Sequence, residues 1–217
     1  MADKSPSLNG GLYALLDDSV PCRVPLAEAA AQLVEGGVAV LQLRLEKTPD
    51  RDALALARQV IATARPRGVQ VIFNDRVDLA LVSGADGVHL GELDLPIADA
   101  RRLLGPSKLI GATTRDLASI ARAKEQGADH VGLGPVFKTG TKVIPFPLLG
   151  AEGLRAIVKD SPLKVVAIAG IDRTNIASVG ATGARCAAVA SALLTAPDLK
   201  AEAAVLSQAF VLASTAK

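Results

Sequence analysis

The sequence has few aromatic residues and no strong excess of charge. Aromatic residues make up 2% of the chain, with no tryptophan and one tyrosine. A protein that binds single-stranded nucleic acid needs aromatic side chains on which bases stack, so this composition argues against that function. The net charge of +2 gives no general attraction for nucleic acid or an anionic membrane. We expect no nucleic-acid partner, and any attraction for anions must be local.

Cysteines and long apolar segments are also scarce. Cys22 and Cys186 show neither metal-ligand nor redox spacing, which indicates two reduced thiols in a cytoplasmic protein. No apolar run reaches the roughly 18 residues that cross a bilayer. Residues 1–11 are polar and lack the apolar stretch of a secretory signal. We therefore expect a cytoplasmic protein without membrane contact, with residues 1–11 as a disordered lead-in.

One pattern recurs along the chain: a short apolar run, a polar turn, an Ala/Leu-rich helical stretch, and a glycine before the next run. The predicted strands are Leu12–Asp17, Ala39–Arg44, Val69–Asp75, Gly87–Leu90, Lys108–Thr113, His130–Val136, Lys164–Gly170 and Cys186–Leu193. Near-continuous apolar strands are typical of parallel sheets. We predict an α/β fold, a single (β/α)8 TIM barrel over residues 12–217. An open doubly wound sheet is the alternative, but no GxGxxG follows the first strand.

Polar residues at the carboxyl ends of the strands are the candidates for an active site, because barrels build their sites there. Asp75 and Asp94 lie in adjacent loops and could hold one Mg²⁺ ion with room for substrate oxygens. Arg44 and Lys142 would add positive charge, which suggests a bridged pyrophosphate. The alternative is structural: Asp75 caps the next helix and Asp94 closes a turn before Pro96.

A second group of candidates follows the last three strands. Gly170 and Ser191 stand where barrels commonly bind phosphate, although close packing of Gly170 against a helix is an alternative. The longest irregular stretch follows the sixth strand and predicts a mobile loop that brings Thr139, Thr141 and Lys142 over the site. A solvated Lys142 is the simpler interpretation.

The two histidines and the tyrosine have less specific signals. His130 begins a strand, so we expect it at the face opposite the site, whereas His89 either contacts a ligand or lines the barrel rim. Tyr13 either packs on a planar ring or belongs to the core. No nucleophile–base pair stands out. The candidates therefore favour a metal-assisted pyrophosphate leaving group.

Several sequence blocks, in order, carry a family resemblance. They are Q-L-R from Gln42, N-D-R-V-D-L-A from Asn74, G-A-D-G-V-H-L-G-E-L-D-L from Gly84, G-A-D-H-V-G-L-G-P-V-F-K-T-G-T-K from Gly127, and V-A-I-A-G-I from Val166. Over nearly its whole length the chain resembles the thiamin-phosphate synthase (thiamin-phosphate pyrophosphorylase) family. The resemblance implies a Mg²⁺-dependent transferase that joins hydroxymethylpyrimidine pyrophosphate to a thiazole phosphate, giving thiamin phosphate and pyrophosphate.

The resemblance also implies a role for each candidate. Mg²⁺ would be held by Asp75 and Asp94, and the departing pyrophosphate would be stabilised by Arg44, Asn74, Thr113 and Lys142. Gln42 would orient the pyrimidine. The thiazole phosphate would be held by Thr139, Thr141, Gly170 and Ser191, and Lys47 would contact the pyrophosphate. Tyr13 is a further candidate substrate contact from the residue itself, through its ring.

Four positions depart from the family pattern. Glu46 stands where Q-x-R-x-K has lysine, so Lys47 would need a one-residue bulge to reach the pyrophosphate. Glu92 replaces the glutamine of G-Q-x-D and adds negative charge near an anionic ligand. Thr113 replaces a serine and keeps its hydroxyl, and Ala169 replaces the first glycine of G-G-I.

Two other functions remain open from the sequence. A thiazole tautomerase-like isomerase shares the barrel, but its members tend to lose the acid found here at Asp75 and to carry histidine where Arg115 stands. A non-catalytic thiazole- or thiamin-phosphate binding protein is suggested by Glu46 and Glu92. A homo-oligomer is compatible with the sequence, since barrels of this size occur in several assemblies.

Overall fold

The computed structural model describes residues 6–140 and 145–216, and at its centre parallel strands close into a barrel in sequence order. The strands are β1 (Gly11–Asp17), β2 (Val40–Arg44), β3 (Gln70–Asn74), β4 (Gly87–Leu90), β5 (Leu109–Thr114), β6 (His130–Leu133), β7 (Lys164–Ile168) and β8 (Cys186–Val189). Because β1 pairs with both β2 and β8, the sheet has no free edge. The predicted (β/α)8 barrel is confirmed, and the open doubly wound sheet is wrong.

Helices surround the barrel. They are α1 (Leu26–Glu35), α2 (Asp50–Ala64), α3 (Val77–Ser83), α4 (Ile97–Leu104), α5 (Leu117–Glu125), α6 (Gly150–Asp160), α7 (Ile176–Gly180), α8 (Ser191–Leu194) and α9 (Leu199–Thr215). In α2, buried Ala53, Ala57, Val60 and Ala64 recur at helical spacing and face the strands. Gly84 ends α3 in the left-handed region, with φ of 79°, as the glycine spacing predicted. None of the helices in the described residues is long and apolar enough to span a membrane.

Some strands end earlier than predicted. β8 stops at Val189, and the apolar residues that follow form helix α8 from Ser191, not a continued strand. β7 stops at Ile168 because Ala169 and Gly170 have left-handed backbones, with φ of 82° and 67°. β6 stops at Leu133. A short apolar run does not distinguish strand from helix, which is why the end of β8 was placed too late.

The predicted disordered lead-in is wrong for residues 6–11. Leu8 is only 1% exposed and packs inside the amino end of the barrel. The Asn9 N–H donates to the Gln70 side chain at 2.7 Å, and Arg185 Nε donates to the Leu8 carbonyl at 3.0 Å. β1 then begins at Gly11. This segment therefore closes one end of the barrel.

The barrel interior holds both histidines. The strand register aligns His130 with Gly111 and Gly111 with His89, so the prediction that His130 lies at the face opposite the site is wrong. The two ring centroids are 6.1 Å apart. A Cβ atom at position 111 would overlap both rings, so glycine makes room for them. The stagger of a closed barrel brings the first residue of β6 level with the third residue of β4.

Candidate functional site

A cavity of about 810 Å³ opens at the carboxyl ends of the strands. It brings together most of the polar candidates that the sequence indicated. Its lining includes Tyr13, Gln42, Arg44, Asn74, Asp75, His89, Asp94, Thr113, Thr139, Gly170 and Ser191. Thr141 and Lys142 lie outside the described residues.

Asp75 and Asp94 form an acidic pair on one wall of this cavity. Asp75 has a left-handed backbone, with φ of 62°, and its N–H donates to the His89 carbonyl at 2.8 Å. Burial, together with the adjoining Asp94 carboxyl, raises the pKa of Asp75 to about 7. In the described part of the chain no side chain caps α3, so the helix-cap interpretation of Asp75 is wrong. Asp94 does close a turn, accepting from the Gly91 N–H at 2.6 Å, while it lines the cavity.

Arg44 is held between two carboxylates. Its guanidinium lies 2.6 Å from Asp17 and 2.5 Å from Glu46. Burial alone would raise the pKa of Asp17, but hydrogen bonds from Ser19 and Arg44 outweigh it and lower that pKa. Sequence reasoning missed Asp17, although its position as the last residue of β1 was a usable signal.

The loop after β2 places Glu46, not Lys47, at the cavity. The backbone N–H groups of Glu46, Lys47 and Thr48 all donate to the Asp18 carboxylate, at 3.1, 2.8 and 2.9 Å. This fixes the loop with Glu46 in the cavity lining and the Lys47 side chain exposed. In the described residues, the bulge that would carry Lys47 to the site is not formed.

Tyr13 and His89 have partners on the cavity floor. Tyr13 is 1% exposed and its hydroxyl donates to Oε1 of Gln42, which matches the core interpretation, although the residue also borders the cavity. His89 Nε2 lies 3.1 Å from Oγ1 of Thr113. Burial lowers the pKa of His89 to about 4 despite the Asp94 charge, so the ring is neutral at neutral pH.

The opposite wall is built by the loops after β6, β7 and β8. A Cβ atom at Gly170 would overlap the backbone of Phe137 and Lys138, so this glycine packs against the loop after β6 and not against a helix. The Asn175 side chain donates to the Gly170 carbonyl at 2.8 Å and fixes the turn. Ser191 begins the short helix α8, the position at which barrels often bind phosphate.

The negative charge of Glu92 at the cavity mouth is balanced by an ion pair with Arg115. Its carboxylate lies 2.8 Å from the Arg115 guanidinium, which in turn lies 3.9 Å from the centre of the Phe146 ring. These residues come from the loops after β4, β5 and β6, so the contacts join three loops. The charge that departs from the family pattern is thus neutralised locally.

Comparisons with known proteins identify the family. A family model described as thiamine monophosphate synthase matches residues 12–193. The chain belongs to the thiamine monophosphate synthase family. Thiamine-phosphate synthase from Myxococcus xanthus is 51% identical over 96% of each chain, and the one from Anaeromyxobacter dehalogenans is 44% identical over 93% of this chain and 88% of its own.

A solved structure supports the same family. Thiamine phosphate pyrophosphorylase from Pyrococcus furiosus matches with a TM-score of 0.84 and 33% identity, covering 95% of this chain and 96% of its own. The resemblance that the sequence blocks carried is therefore confirmed, and with it the thiamin-phosphate synthase function and the transferase class. Ala169 stands where the family pattern has glycine. Its backbone is left-handed, with φ of 82°, a conformation that glycine adopts more readily than alanine.

Proposed function

We propose that this synthase joins hydroxymethylpyrimidine pyrophosphate to a thiazole phosphate, and releases pyrophosphate, at the carboxyl end of the barrel. The observation that carries the proposal is the pair Asp75–Asp94, which lies close to Arg44 on one cavity wall. Two carboxylates beside a cationic side chain suit a pyrophosphate bridged by a divalent cation. A cavity of about 810 Å³ has room for two small-molecule substrates.

Asp75 and Asp94 fit a Mg²⁺ ion. The raised pKa of Asp75 means that the pair disfavours two negative charges unless a cation accompanies them. Within residues 6–140 and 145–216, no cluster of three or more His, Cys, Asp or Glu side chains can hold a metal. Substrate oxygens and water would therefore complete the coordination, as is usual for Mg²⁺. When bound, Mg²⁺ supplies positive charge that stabilises the pyrophosphate leaving group.

The side chains around this pair suit the departure of pyrophosphate. The bond between the pyrimidine methylene carbon and a pyrophosphate oxygen breaks, and its electron pair leaves with the oxygen. Arg44 offers positive charge, and Asn74 and Thr113 offer hydrogen-bond donors to that oxygen. The thiazole nitrogen then donates its lone pair to the methylene carbon, so no covalent enzyme intermediate forms. Lys142 is assigned to this leaving group, as a second positive charge, from the sequence alone.

The opposite wall would hold the thiazole phosphate. Gly170, Ser191 and Thr139 line the same cavity, in the loops after the last strands where barrels commonly bind phosphate. Thr141 is assigned to this phosphate from the sequence alone.

The proposed cytoplasmic location rests on the cysteines, since both Cys22 and Cys186 are free thiols. A homo-oligomer remains compatible with these assignments.

The direct test is formation of thiamin phosphate by the purified protein from both substrates and MgCl₂. We expect product and pyrophosphate in equal amounts. Asp75→Asn and Asp94→Asn should each lower kcat by roughly 100-fold, because each removes one carboxylate from the metal pair. Asp160→Asn is the matched control, since it removes the same charge from an exposed position at the end of α6.

Other outcomes identify the alternatives. Binding of both substrates without product would contradict the synthase and favour a binding protein. Conversion of the thiazole carboxylate phosphate to its aromatic isomer, without synthase activity, would identify a tautomerase. Full activity of Asp75→Ala combined with Asp94→Ala would remove the metal assignment.

A further inference from the structure

Tyr13, Gln42 and Asn74 form a chain of side-chain hydrogen bonds that ends at Asp75. The Tyr13 hydroxyl donates to Oε1 of Gln42 at 2.8 Å. Nε2 of Gln42 donates to Oδ1 of Asn74 at 2.6 Å, and Nδ2 of Asn74 donates to Oδ2 of Asp75 at 2.6 Å. The first three residues lie on the neighbouring strands β1, β2 and β3. The chain therefore connects the barrel interior to the acidic pair.

The direction of this chain is fixed by chemistry at its ends. Oδ2 of Asp75 accepts at 2.6 Å from Nδ2 of Asn74, which places the NH₂ group of Asn74 on the Asp75 side. Its oxygen then faces Gln42, which must donate, and the Gln42 oxygen faces Tyr13. Burial raises the pKa of Tyr13 well above its ordinary value, so the phenol keeps the proton that it donates. Each member thus constrains the next.

The fixed direction decides which groups face the ligand. The amide oxygens of Gln42 and Asn74 are engaged within the chain, whereas each NH₂ group keeps one further N–H, and both residues line the cavity. We propose that Tyr13 is a positioning residue that holds the Gln42 amide in this donor orientation, which selects a heteroaromatic ring with an acceptor nitrogen. This inference rests on the proposed function, in which that ring is the pyrimidine. Tyr13 acts through Gln42 and does not touch the substrate.

Tyr13→Phe tests the inference because it removes the hydroxyl and keeps the ring. We expect the KM for the pyrimidine pyrophosphate to rise about tenfold, the typical effect of losing one buried hydrogen bond. The KM for the thiazole phosphate should stay within about twofold. Titration calorimetry with the pyrimidine pyrophosphate in EDTA should show the same loss of affinity without metal. In a Gln42→Leu background, Tyr13→Phe should have no further effect.

Thr114→Val is the matched control, because it also removes a buried hydroxyl, one that donates to the Gly132 carbonyl at 3.2 Å outside this chain of hydrogen bonds. Its pyrimidine KM should equal that of the wild type. The inference is wrong if Tyr13→Phe raises both substrate KM values equally, leaves both unchanged, or keeps its effect in Gln42→Leu. Wild-type protein that binds the pyrimidine in calorimetry but makes no product would contradict the proposed function alone. Absence of pyrimidine binding by the wild type in MgCl₂ would contradict both.

Discussion

The Arg44 guanidinium is shared between a buried and an exposed carboxylate. The Asp17 side chain is 3% exposed, whereas that of Glu46 is 51% exposed. Asp17 therefore orients Arg44, while Glu46 contributes a weakly held negative charge at the cavity wall. That charge opposes an anionic substrate. Glu46 thus carries a negative charge where the family pattern has a positively charged lysine.

Glu46→Gln should improve binding of the pyrimidine pyrophosphate. Removing one negative charge from the wall frees Arg44 for the substrate, and we expect the KM to fall about fivefold with kcat nearly unchanged. Steady-state kinetics at low ionic strength would measure this change in KM. Glu125→Gln, at the exposed end of α5, is the control for net charge alone and should leave the KM unaltered. An unchanged or higher KM in Glu46→Gln would show that the carboxylate does not oppose the substrate.

At the residue scale, the sequence predicted which end of each strand carries the site but not which side chains pair. Asp75 and Asp94 were recognisable because the carboxyl-end rule needs only strand positions. The partners of Tyr13 and Arg44 were not, because they lie on neighbouring strands and depend on the register between them. The position of Lys47 outside the cavity lining was not predictable for a similar reason, since Asp18, far away in sequence, fixes its loop.

At the scale of elements, glycine spacing and apolar periodicity were enough to find the strands and to order the helices. The predicted strand end was wrong where an apolar run changes from strand to helix, as between Val189 and Ser191. The prediction for the segment before β1 was wrong because a lone leucine among polar residues carries no periodic signal. Only the closed barrel reveals that Leu8 has an apolar interior to enter.

Leu8→Ala should destabilise the protein markedly, although the segment looks dispensable in sequence. The side chain is 1% exposed, and truncating a buried leucine costs about 2–4 kcal/mol of the free energy of unfolding. Urea unfolding would measure this change. Leu93→Ala is the matched control, because Leu93 is 99% exposed and its truncation should change stability by less than about 0.5 kcal/mol. Equal effects of the two changes would mean that Leu8 does not close the barrel.

At the scale of the whole molecule, a neutral histidine inside the barrel links stability to pH. His130 is fully buried, and neither of its ring nitrogens has a hydrogen-bond partner among the described residues. Burial, with the nearby His89 and Lys164, lowers the pKa of His130 to about 3. The unfolded chain binds this proton near the ordinary histidine pKa of about 6.5. Stability is therefore greatest above that pH and is lost as the pH falls toward 3.

His130→Leu should flatten this acid dependence. Wild-type protein should lose about 1.6 kcal/mol between pH 6.5 and pH 5 through His130 alone, and the variant should lose only what His89 and the carboxylates contribute. Urea unfolding at several pH values would give both curves. His130→Gln keeps a polar side chain without titration and should flatten the curve equally. A variant curve parallel to that of the wild type would exclude His130 as the source.

The pairing of β1 with β8 joins the two ends of the sequence. Gly11 lies opposite Cys186, so the barrel cannot close until β8 has left the ribosome. Throughout synthesis the nascent β1 presents an unsatisfied edge, the kind of surface that other chains can capture. Closure also depends on contacts between distant parts of the sequence, which makes folding slow relative to helical bundles. The topology that shapes the active site therefore leaves β1 without its second partner strand for most of translation.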